Sequence, residues 1–471
     1  MSNKIVKTLR EAIELSGLKE GMTISFHHHL RNGDYVLNMV MEEIAAMNIK
    51  GLTVNASSLF DTHLPLIDHA RNHVVTKLQT NYMSGAIGRF ISQGVMEELV
   101  EFRTHGGRPS AVESGVTPID VAFIAAPVSD TMGNCTGKYG KSACGSLGYA
   151  FPDAMNAKKV IVITDSLVPY PLADWSIPET YVDYVVAVDA IGDPNGIVSG
   201  TTKITRDPIG LIMASSAARV IRHSGLLKDG FSFQTGAGGA SLAAAKFLKD
   251  IMLRENIKGS FGLGGITGYM VDMLKAGCFQ SLLDVQCFDL EAVESIRSNP
   301  KHQEISATHY ASPSAKSAVV DSLDVVILGA TEIDTDFNVN VHTDSNGFIM
   351  GGSGGHSDTA AGAKLSMIIA PLSRARLPIV TDRVTCISTP GKDIDVLVTQ
   401  KGIAVNPRNK ELGERLRQAG LPVVDIHELK RIAERITGVP QRLEKGERAV
   451  AKVIYRDGTL LDTIYSVSDI G

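Results

Sequence analysis

The sequence lacks a long apolar run and any cluster of basic residues. No window holds about 18 uninterrupted apolar residues, as a membrane-spanning helix would require. The N-terminal stretch MSNKIVKTLREAIELSG is predicted to form a charged amphipathic helix, which is neither a membrane span nor a signal peptide. The net charge is −5, which argues against nucleic acid as the partner.

Cysteine is scarce, and no C-x-x-C motif is present. The five cysteines are an odd number, so the sequence favours reduced thiols and a cytoplasmic location. We expect them to be small buried side chains, in preference to a catalytic cysteine. They are Cys135, Cys144, Cys278, Cys287 and Cys386.

The chain has 471 residues, 44% hydrophobic content and 45 glycines. That length exceeds what one hydrophobic core usually supports, so we expect two domains. Short β-branched runs alternate with helical stretches such as Ser241–Leu253, which predicts an α/β fold with mostly parallel sheets. The predicted strands are Val121–Ile124, Val160–Thr164, Tyr184–Val188, Val325–Leu328, Met367–Ile369 and Val396–Val398.

The chain repeats itself at an offset of 204 residues. The segments Ile119–Asn134 and Leu323–Asn338 share six identities in sixteen positions without a gap. This repeat predicts two related α/β domains, residues 1–224 and 225–471, with the active site between the halves. Chance similarity between two buried strands is the weaker explanation.

The loop GGSGGHSD precedes an Ala-rich helix. A glycine pair ahead of a helix lets backbone N–H groups converge on an anion or a polarised carbonyl, so we expect Gly354 and Gly355 to hold the thioester carbonyl or its oxyanion. His356 could donate a hydrogen bond or move a proton. Asp358 could bind substrate or cap a helix that starts at Thr359.

Two further glycine segments and one asparagine are candidate site residues. Gly236, Gly238 and Gly239, in TGAGGA, form a candidate cradle for phosphate or carboxylate, although the spacing fits neither a P-loop nor a dinucleotide fingerprint. The second segment, LGGITG, contains Gly264 and Gly265 and could equally be a tight turn for close packing. Asn338 is a candidate substrate ligand, and its simpler interpretation is a turn with Asp334.

The segment FHHHLRNGD lies at the corresponding place in the first half. Adjacent histidines suit a metal site poorly, because neighbours on a strand point to opposite faces, so we expect no metal. The side chains of His27, His28, His29 and Arg31 suit a polyanionic substrate better, through charge-assisted hydrogen bonds to carboxylates. A surface histidine cluster without function is the alternative.

Several of these motifs together resemble the coenzyme A transferase superfamily and, within it, the citrate lyase alpha-subunit family. The resemblance covers nearly the whole chain. It is carried by SFHHHLRNGD, LNMVM, SACGSLGYA, SFQTGAGGASLA, LGGITGYMVDM, LLDVQCFD, EIDTDFNVNV, GGSGGHSDTA, SMIIAPL and DVLVTQKGIAVNP.

The resemblance implies a citrate–acyl carrier protein transferase. In this family acetyl-[acyl carrier protein] and citrate give citryl-[acyl carrier protein] and acetate, and a beta subunit then splits the citryl thioester. The thiol belongs to a dephospho-CoA-type group on the gamma subunit, the acyl carrier protein, and free acetyl-CoA can substitute. The resemblance therefore implies no covalently bound cofactor on this chain and an oligomeric complex of these subunits in the cytoplasm.

One departure from the wider superfamily concerns the nucleophile. Many coenzyme A transferases use a glutamate, and alignment of LGGITGYMVDM places Gly264 at that position. A direct attack of a citrate carboxylate on the thioester needs no protein nucleophile, only positioning and an oxyanion hole. The alternatives are a malonate decarboxylase alpha subunit-like transferase and a non-catalytic scaffold subunit.

Overall fold

Two large sheets form the centre of the computed structural model, which describes residues 4–198, 203–236, 238–440 and 445–467. Within these ranges the first sheet has ten strands, parallel except for the last pair. In spatial order they are Ile5–Val6, Tyr184–Ala187, Lys159–Thr164, Val121–Ala125, Thr23–Phe26, Leu52–Ala56, Val75–Thr80, Val100–Phe102, Ala449–Ile454 and Leu460–Tyr465.

The second sheet has eight strands among the described residues and is also parallel except for its last pair. In spatial order they are His302–Glu304, Phe279–Cys287, Gly259–Ile266, Phe233–Thr235, Val325–Leu328, Leu365–Ile369, Val396–Thr399 and Gly402–Val405. The predicted α/β architecture with mostly parallel sheets is confirmed, and each predicted strand lies within two residues of an observed one.

The internal repeat corresponds to equivalent strands at the centres of the two sheets. Ile24 pairs with Val121 in the first sheet, and Phe233 pairs with Val325 in the second. On both sides of these pairs the strands follow the same order along the chain. The two halves therefore share a common core topology.

Helices cover the sheets, and the predicted helix Ser241–Leu253 extends over Gly239–Arg254. The amphipathic helix expected at the N-terminus is shorter than predicted, because Thr8 caps it after a strand, and Met1–Asn3 lie outside the described residues. The α-helices are Leu9–Ser16, Val36–Ala46, Leu66–Arg71, Gly85–Ser92, Gly107–Glu113, Ala150–Asn156, Pro208–His223, Gly239–Arg254, Gly268–Lys275, Leu290–Ser298, Ala307–Ala311, His356–Gly362, Lys410–Gln418 and Ile426–Thr437.

Short elements complete the structure. The 3-10 helices are Arg31–Gly33, Asp61–His63, Glu179–Tyr181, Pro194–Ile197, Val319–Ser322 and Gly391–Asp393. Three small sheets are formed by Val128–Asp130 with Cys135–Thr136 and Leu167–Val168, by Glu332–Asp334 with Val339–Asn340 and Val380–Thr381, and by Ser373–Arg374 with Leu377–Pro378. No helix within the described ranges has both the length and the apolar character needed to cross a bilayer.

Sheet membership differs from the predicted ranges 1–224 and 225–471 at two places. Helix Pro208–His223 packs on helix Gly239–Arg254 and on strands of the second sheet. The hairpin Ala449–Tyr465, which turns at Gly458, returns to the first sheet and pairs with Val100–Phe102. This pairing covers a strand edge whose N–H and C=O groups would otherwise stay open.

Candidate active site between the two halves

The three histidines lie at the carboxyl end of the central strand Thr23–Phe26 and are buried. The Nε2 of His27 accepts a hydrogen bond from the backbone N–H of Ala125 at 2.9 Å, and its Nδ1 contacts the Nδ1 of His29. The Nδ1 of His28 lies 2.6 Å from the Ser57 hydroxyl. The cluster is therefore an ordered part of the sheet edge, and the alternative of a surface cluster is wrong.

Burial keeps these imidazoles neutral. It lowers the pKa of His27 to about 4 and holds the pKa values of His28 and His29 well below the ordinary 6.5. At neutral pH the three rings carry no charge, so the expected charge-assisted hydrogen bonds from these histidines are not available. Their contribution to a ligand is limited to neutral hydrogen bonds and ring contacts.

Arg31 supplies the positive charge of this segment. Its guanidinium carbon lies 5.5 Å from the centre of the Phe60 ring and 5.0 Å from that of Phe288, a residue of the second half. Its Nη1 is buried and has no hydrogen-bond partner among the described residues. Burial lowers the pKa of Arg31, but a guanidinium remains charged at neutral pH. This cation is therefore available to a carboxylate.

The histidine segment and the GGSGG loop meet in the cleft between the halves. The His28 ring lies 5.7 Å from the His105 ring, and Tyr149 packs against both at 4.7 and 4.4 Å. The backbone N–H of His105 donates to the Gly354 carbonyl at 2.8 Å. The Gln286 amide donates to the His28 carbonyl at 2.9 Å. The predicted proximity of these two loops is confirmed.

The two glycines of the loop have different roles. Gly354 has a φ of +50°, and its N–H donates to the Asn81 carbonyl at 3.1 Å, so it cannot serve as the expected oxyanion donor. The N–H of Gly355 has no partner among the described residues and precedes helix His356–Gly362. A Cβ at Gly355 would lie 2.5 Å from the Tyr310 hydroxyl. Gly355 thus remains the candidate donor.

His356 and Asp358 are held by the protein itself. The Nδ1 of His356 lies 2.8 Å from the Thr389 hydroxyl and its Nε2 donates to the Gly329 carbonyl at 2.9 Å, so neither nitrogen is free to move a proton. Both carboxylate oxygens of Asp358 accept hydrogen bonds, from the Thr104 hydroxyl at 2.7 Å and the Gly106 N–H at 2.9 Å.

Asp358 therefore connects the two halves through hydrogen bonds and does not serve as a substrate ligand. It lies inside a helix that begins at His356, so it does not cap a helix beginning at Thr359. It is fully buried, and burial raises the pKa of Asp358 to about 6. The Arg456 guanidinium, from the C-terminal hairpin, lies 3.7 Å away and acts in the opposite direction.

Gly264 and Gly265 lie at a bulge in strand Gly259–Ile266, and their lack of side chains permits close packing. Gly264 has a φ of +102°, and a Cβ there would lie 2.7–2.9 Å from the amide of Gln234. A Cβ at Gly265 would lie 2.3 Å from the Phe288 ring. No carboxylate could occupy position 264 without displacing Gln234, so the packing interpretation of these glycines is the one the structure supports.

Gln234 and Tyr310 form a buried pair beside Gly355. The Nε2 of Gln234 donates to the Tyr310 hydroxyl oxygen at 2.9 Å, while the Oε1 of Gln234 is buried without a partner among the described residues. Burial raises the pKa of Tyr310, so its hydroxyl stays protonated. Because that oxygen already accepts from Gln234, the hydroxyl proton is free for another acceptor.

The TGAGGA loop lies at the N-terminus of helix Gly239–Arg254. A Cβ at Gly236 or Gly238 would meet only ordinary contacts, whereas one at Gly239 would lie 2.8 Å from the Lys203 carbonyl. Ala237 lies outside the described residues. Beside this loop, a cavity of about 1030 Å³ is lined by the basic side chains of Lys203, Arg206, Lys246 and Lys249 and by Asp250 and Asp272, of which Asp272 pairs with Lys249 at 2.6 Å.

Asn338 belongs to a turn. Its amide nitrogen donates to Asp334 at 3.1 Å and its Oδ1 accepts from the Gly391 N–H at 2.9 Å, so both polar atoms of the side chain take part in the turn. The repeated residues make the same contact in the first half, where Asn134 donates to Asp130 at 2.8 Å. The duplicated Asp-x-x-x-Asn pattern therefore specifies a turn and not a binding site.

Sequence reasoning missed the aromatic and amide residues of the cleft. Tyr310 lies in no motif, and His105, Tyr149 and Gln234 lie within two residues of a glycine without being distinguished from other neighbours of glycine. For Gln234, the signal in the sequence is its position directly before the TGAGGA loop. A second missed group consists of buried side chains joined by hydrogen bonds, in which Asp284 accepts from His302 at 2.9 Å and from the Cys287 thiol at 3.0 Å.

The five cysteines are buried and free, as expected for small core side chains. Burial raises the pKa of the Cys287 thiol well above its usual value, with Asp284 acting in the same direction. A thiol in such a setting is a poor nucleophile. Burial of all five described cysteines therefore argues against a catalytic thiol.

The matched sheets, the glycine loop and the buried cation in one cleft define a protein of the coenzyme A transferase type. The model of the family "Citrate lyase, alpha subunit (CitF)" matches residues 2–467. The chain belongs to this family. It is 51% identical to the citrate lyase alpha chain of Klebsiella pneumoniae over 466 residues, covering 99% of this chain and 92% of the relative.

Solved structures agree with this assignment. A Streptococcus mutans protein, described as the alpha subunit of citrate lyase in complex with citrate, superposes with a TM-score of 0.98 at 49% identity, covering 99% of this chain and 92% of that one. The malonate decarboxylase alpha subunit of Acinetobacter baumannii has a TM-score of 0.70 at 16% identity, covering 93% of each chain. The second likeness shows a shared fold only.

Proposed function

We propose that the chain is the alpha subunit of a citrate lyase complex and transfers the thiol of the acyl carrier protein from an acetyl group to citrate. Acetyl-[acyl carrier protein] and citrate would give citryl-[acyl carrier protein] and acetate. The observation that carries the proposal is the buried Arg31 cation, which has an unpartnered Nη1 in the same cleft as the free N–H of Gly355. The citrate bound to the Streptococcus mutans relative supports the choice of acid.

The reaction proceeds without a protein nucleophile in this proposal. A citrate carboxylate oxygen attacks the acetyl thioester carbonyl, the C–S bond breaks, and the thiolate leaves with the electron pair. The thiolate then attacks the citryl carbonyl of the resulting mixed anhydride, and acetate leaves. Position 264 has no side chain, and Gln234 fills the adjacent space with an amide that cannot act as the carboxylate of a glutamyl thioester.

Three groups of the chain promote these steps. Arg31 binds a citrate carboxylate and holds it within the cleft. The Gly355 N–H stabilises negative charge on the carbonyl oxygen during both attacks, and the Tyr310 hydroxyl, which lies close to Gly355, donates to citrate. Neutral His28 and His105 line the cleft, and their burial limits the access of water.

The thioester substrate has a second contact in the proposal. A dephospho-CoA-type group carries phosphates, and the cavity beside the TGAGGA loop presents Lys203, Arg206, Lys246 and Lys249. The helix N-terminus at Gly239 adds backbone N–H groups and a favourable dipole. We assign the phosphate end of the thiol to this cavity, with the gamma subunit as its carrier, and free acetyl-CoA as a substitute.

The partners in the proposal are the beta and gamma subunits of a cytoplasmic, oligomeric citrate lyase complex. The test uses the purified chain alone, with acetyl-CoA and citrate, and measures acetate release together with formation of a citryl thioester. Omission of citrate is the control for simple thioester hydrolysis. Citrate-dependent release supports the transferase, whereas a chain that releases no acetate with citrate would be a scaffold subunit.

A further inference from the structure

Two polar groups of the cleft lack a protein partner, and a third, which has one, keeps a proton to donate. The Nη1 of Arg31 is a buried donor and the Oε1 of Gln234 is a buried acceptor, both unpartnered among the described residues. The Tyr310 hydroxyl has a proton to donate, because its oxygen accepts from Gln234. Buried polar groups normally have a hydrogen-bond partner, so each of these three should form a hydrogen bond with the bound ligand.

The side chain of Gln234 is fixed in place. Its Nε2 is 2.9 Å from the Tyr310 hydroxyl, and its amide plane packs against the Cα of Gly264, where any Cβ would collide. The Tyr149 ring packs against the His28 ring, three residues before Arg31, and belongs to the same buried cluster as Tyr310. Tyr149 thus connects the surroundings of the cation with those of the Gln234–Tyr310 pair.

We infer that Gln234 binds the tertiary hydroxyl of citrate, while Tyr310 donates to the carboxylate beside it and Arg31 binds another carboxylate. This inference rests on the proposed function and explains which acid the site accepts. A hydroxyl both donates and accepts, so it suits the outward atom of the amide in either orientation. Carboxylates offer only acceptors at neutral pH and would leave Oε1 unsatisfied.

The competing occupant is an amide N–H of the carrier thiol arm, which could also donate to Gln234. The position of Gln234 favours citrate as the occupant. Gln234 forms a hydrogen bond with Tyr310, whose hydroxyl lies close to Gly355, where the reacting carbonyl is placed. The phosphate end of the arm is assigned to a different place, at the cavity beside Gly239. The experiment separates the two occupants.

The test compares citrate with propane-1,2,3-tricarboxylate, which is citrate without the hydroxyl, at a fixed concentration of acetyl-CoA. The unmodified chain should prefer citrate in kcat/KM by about 10- to 100-fold, because a site built for a hydroxyl leaves a buried acceptor unpaired with the analogue. Gln234→Leu has similar volume and no hydrogen-bonding group. This variant should bring the ratio to about one, because kcat/KM falls for citrate and not for the analogue.

Two variants serve as comparisons. Gln303→Leu removes an exposed amide of a strand in the same sheet, and should leave both rates and their ratio unchanged. Tyr310→Phe removes the donor to a carboxylate that both acids contain, and should lower both rates by similar factors. The ratio is measured within each variant, so a smaller folded fraction does not alter it.

The outcomes are distinct. An unchanged ratio in Gln234→Leu overturns the inference, and an unchanged ratio with a raised KM for acetyl-CoA assigns the amide to the carrier arm instead. Calorimetric titration of the two acids onto the unmodified chain and Gln234→Leu gives the same comparison without turnover. If citrate binds preferentially but no transfer occurs, the proposed function fails while the assignment of Gln234 stands.

Discussion

Replacement of Arg31 by alanine tests the assignment of the citrate carboxylate. Arg31 lies between the Phe60 and Phe288 rings, and its Nη1 makes no hydrogen bond with any described residue. The variant removes this charge without breaking a protein contact at Nη1. The predicted effect therefore falls on citrate and not on the folded state.

The magnitude follows from the contact that is lost. A hydrogen bond to a charged group contributes about 1.5–3 kcal/mol, so the KM for citrate should rise by about 10- to 150-fold. If Arg31 binds citrate equally well in the ground state and the transition state, kcat should change little. The unfolding midpoint should change little, because the loss of the contacts with the Phe60 and Phe288 rings is opposed by the removal of a buried donor without a partner.

The assay follows acetate release against citrate at saturating acetyl-CoA, and thermal unfolding with and without citrate. Arg89→Ala is the matched control, because Arg89 also lies over a phenylalanine ring, that of Phe348 at 5.0 Å, on an exposed helix face. Arg31→Ala should lose the stabilisation by citrate, and Arg89→Ala should keep it. An unchanged KM for citrate in a normally folded Arg31→Ala variant would refute the reasoning.

Three further predictions concern the loop, the mechanism and the pH dependence. Gly355→Val should lower the transfer rate by at least about 100-fold with the fold retained by circular dichroism, because its Cβ would displace the Tyr310 hydroxyl and crowd a donor site; activity near that of the unmodified chain would contradict this placement. Acetyl thioester alone should leave no adduct on a glutamate, and the kinetics should require both substrates bound together; inactivation by borohydride with one modified glutamate in the mass spectrum would disprove the direct mechanism. The free energy of unfolding should decrease as pH falls from about 6.5 towards 4, because the histidines bind protons in the unfolded chain but stay neutral when buried in the folded one. The decrease is up to about 1.36 kcal/mol per pH unit for each histidine. Equal urea midpoints at pH 7 and pH 5 would contradict this prediction. Burial lowers the pKa values of His27, His28, His29, His105, His342 and His356.

Local patterns predicted the framework of the fold. Strands such as Val325–Leu328 and helix Gly239–Arg254 are visible as β-branched runs and as a 3.6-residue apolar period, which are properties of a few neighbouring residues. The repeat predicts equivalent positions for Asp130 and Asp334, and each accepts a hydrogen bond from the asparagine four residues later. Glycine loops at strand ends also located the cleft correctly.

Roles within the cleft depend on contacts between distant residues, which local patterns do not contain. His356 looks catalytic beside four glycines, yet Thr389 and Gly329 occupy both of its nitrogens. Gly354 looks like an oxyanion donor, yet Asn81 takes its N–H. Tyr310 has no distinguishing neighbours in sequence, and only the fold brings its hydroxyl to Gly355.

The pairing of the C-terminal hairpin with the first sheet constrains the order in which the chain can mature during synthesis. Strand Val100–Phe102 is translated early, but its outer neighbour Ala449–Ile454 is made more than 340 residues later. Until then the nascent first half presents an open strand edge that other chains could join. Arg456 of the same hairpin, which lies 3.7 Å from Asp358, therefore reaches the junction of the halves only after the strands of the second sheet have been translated.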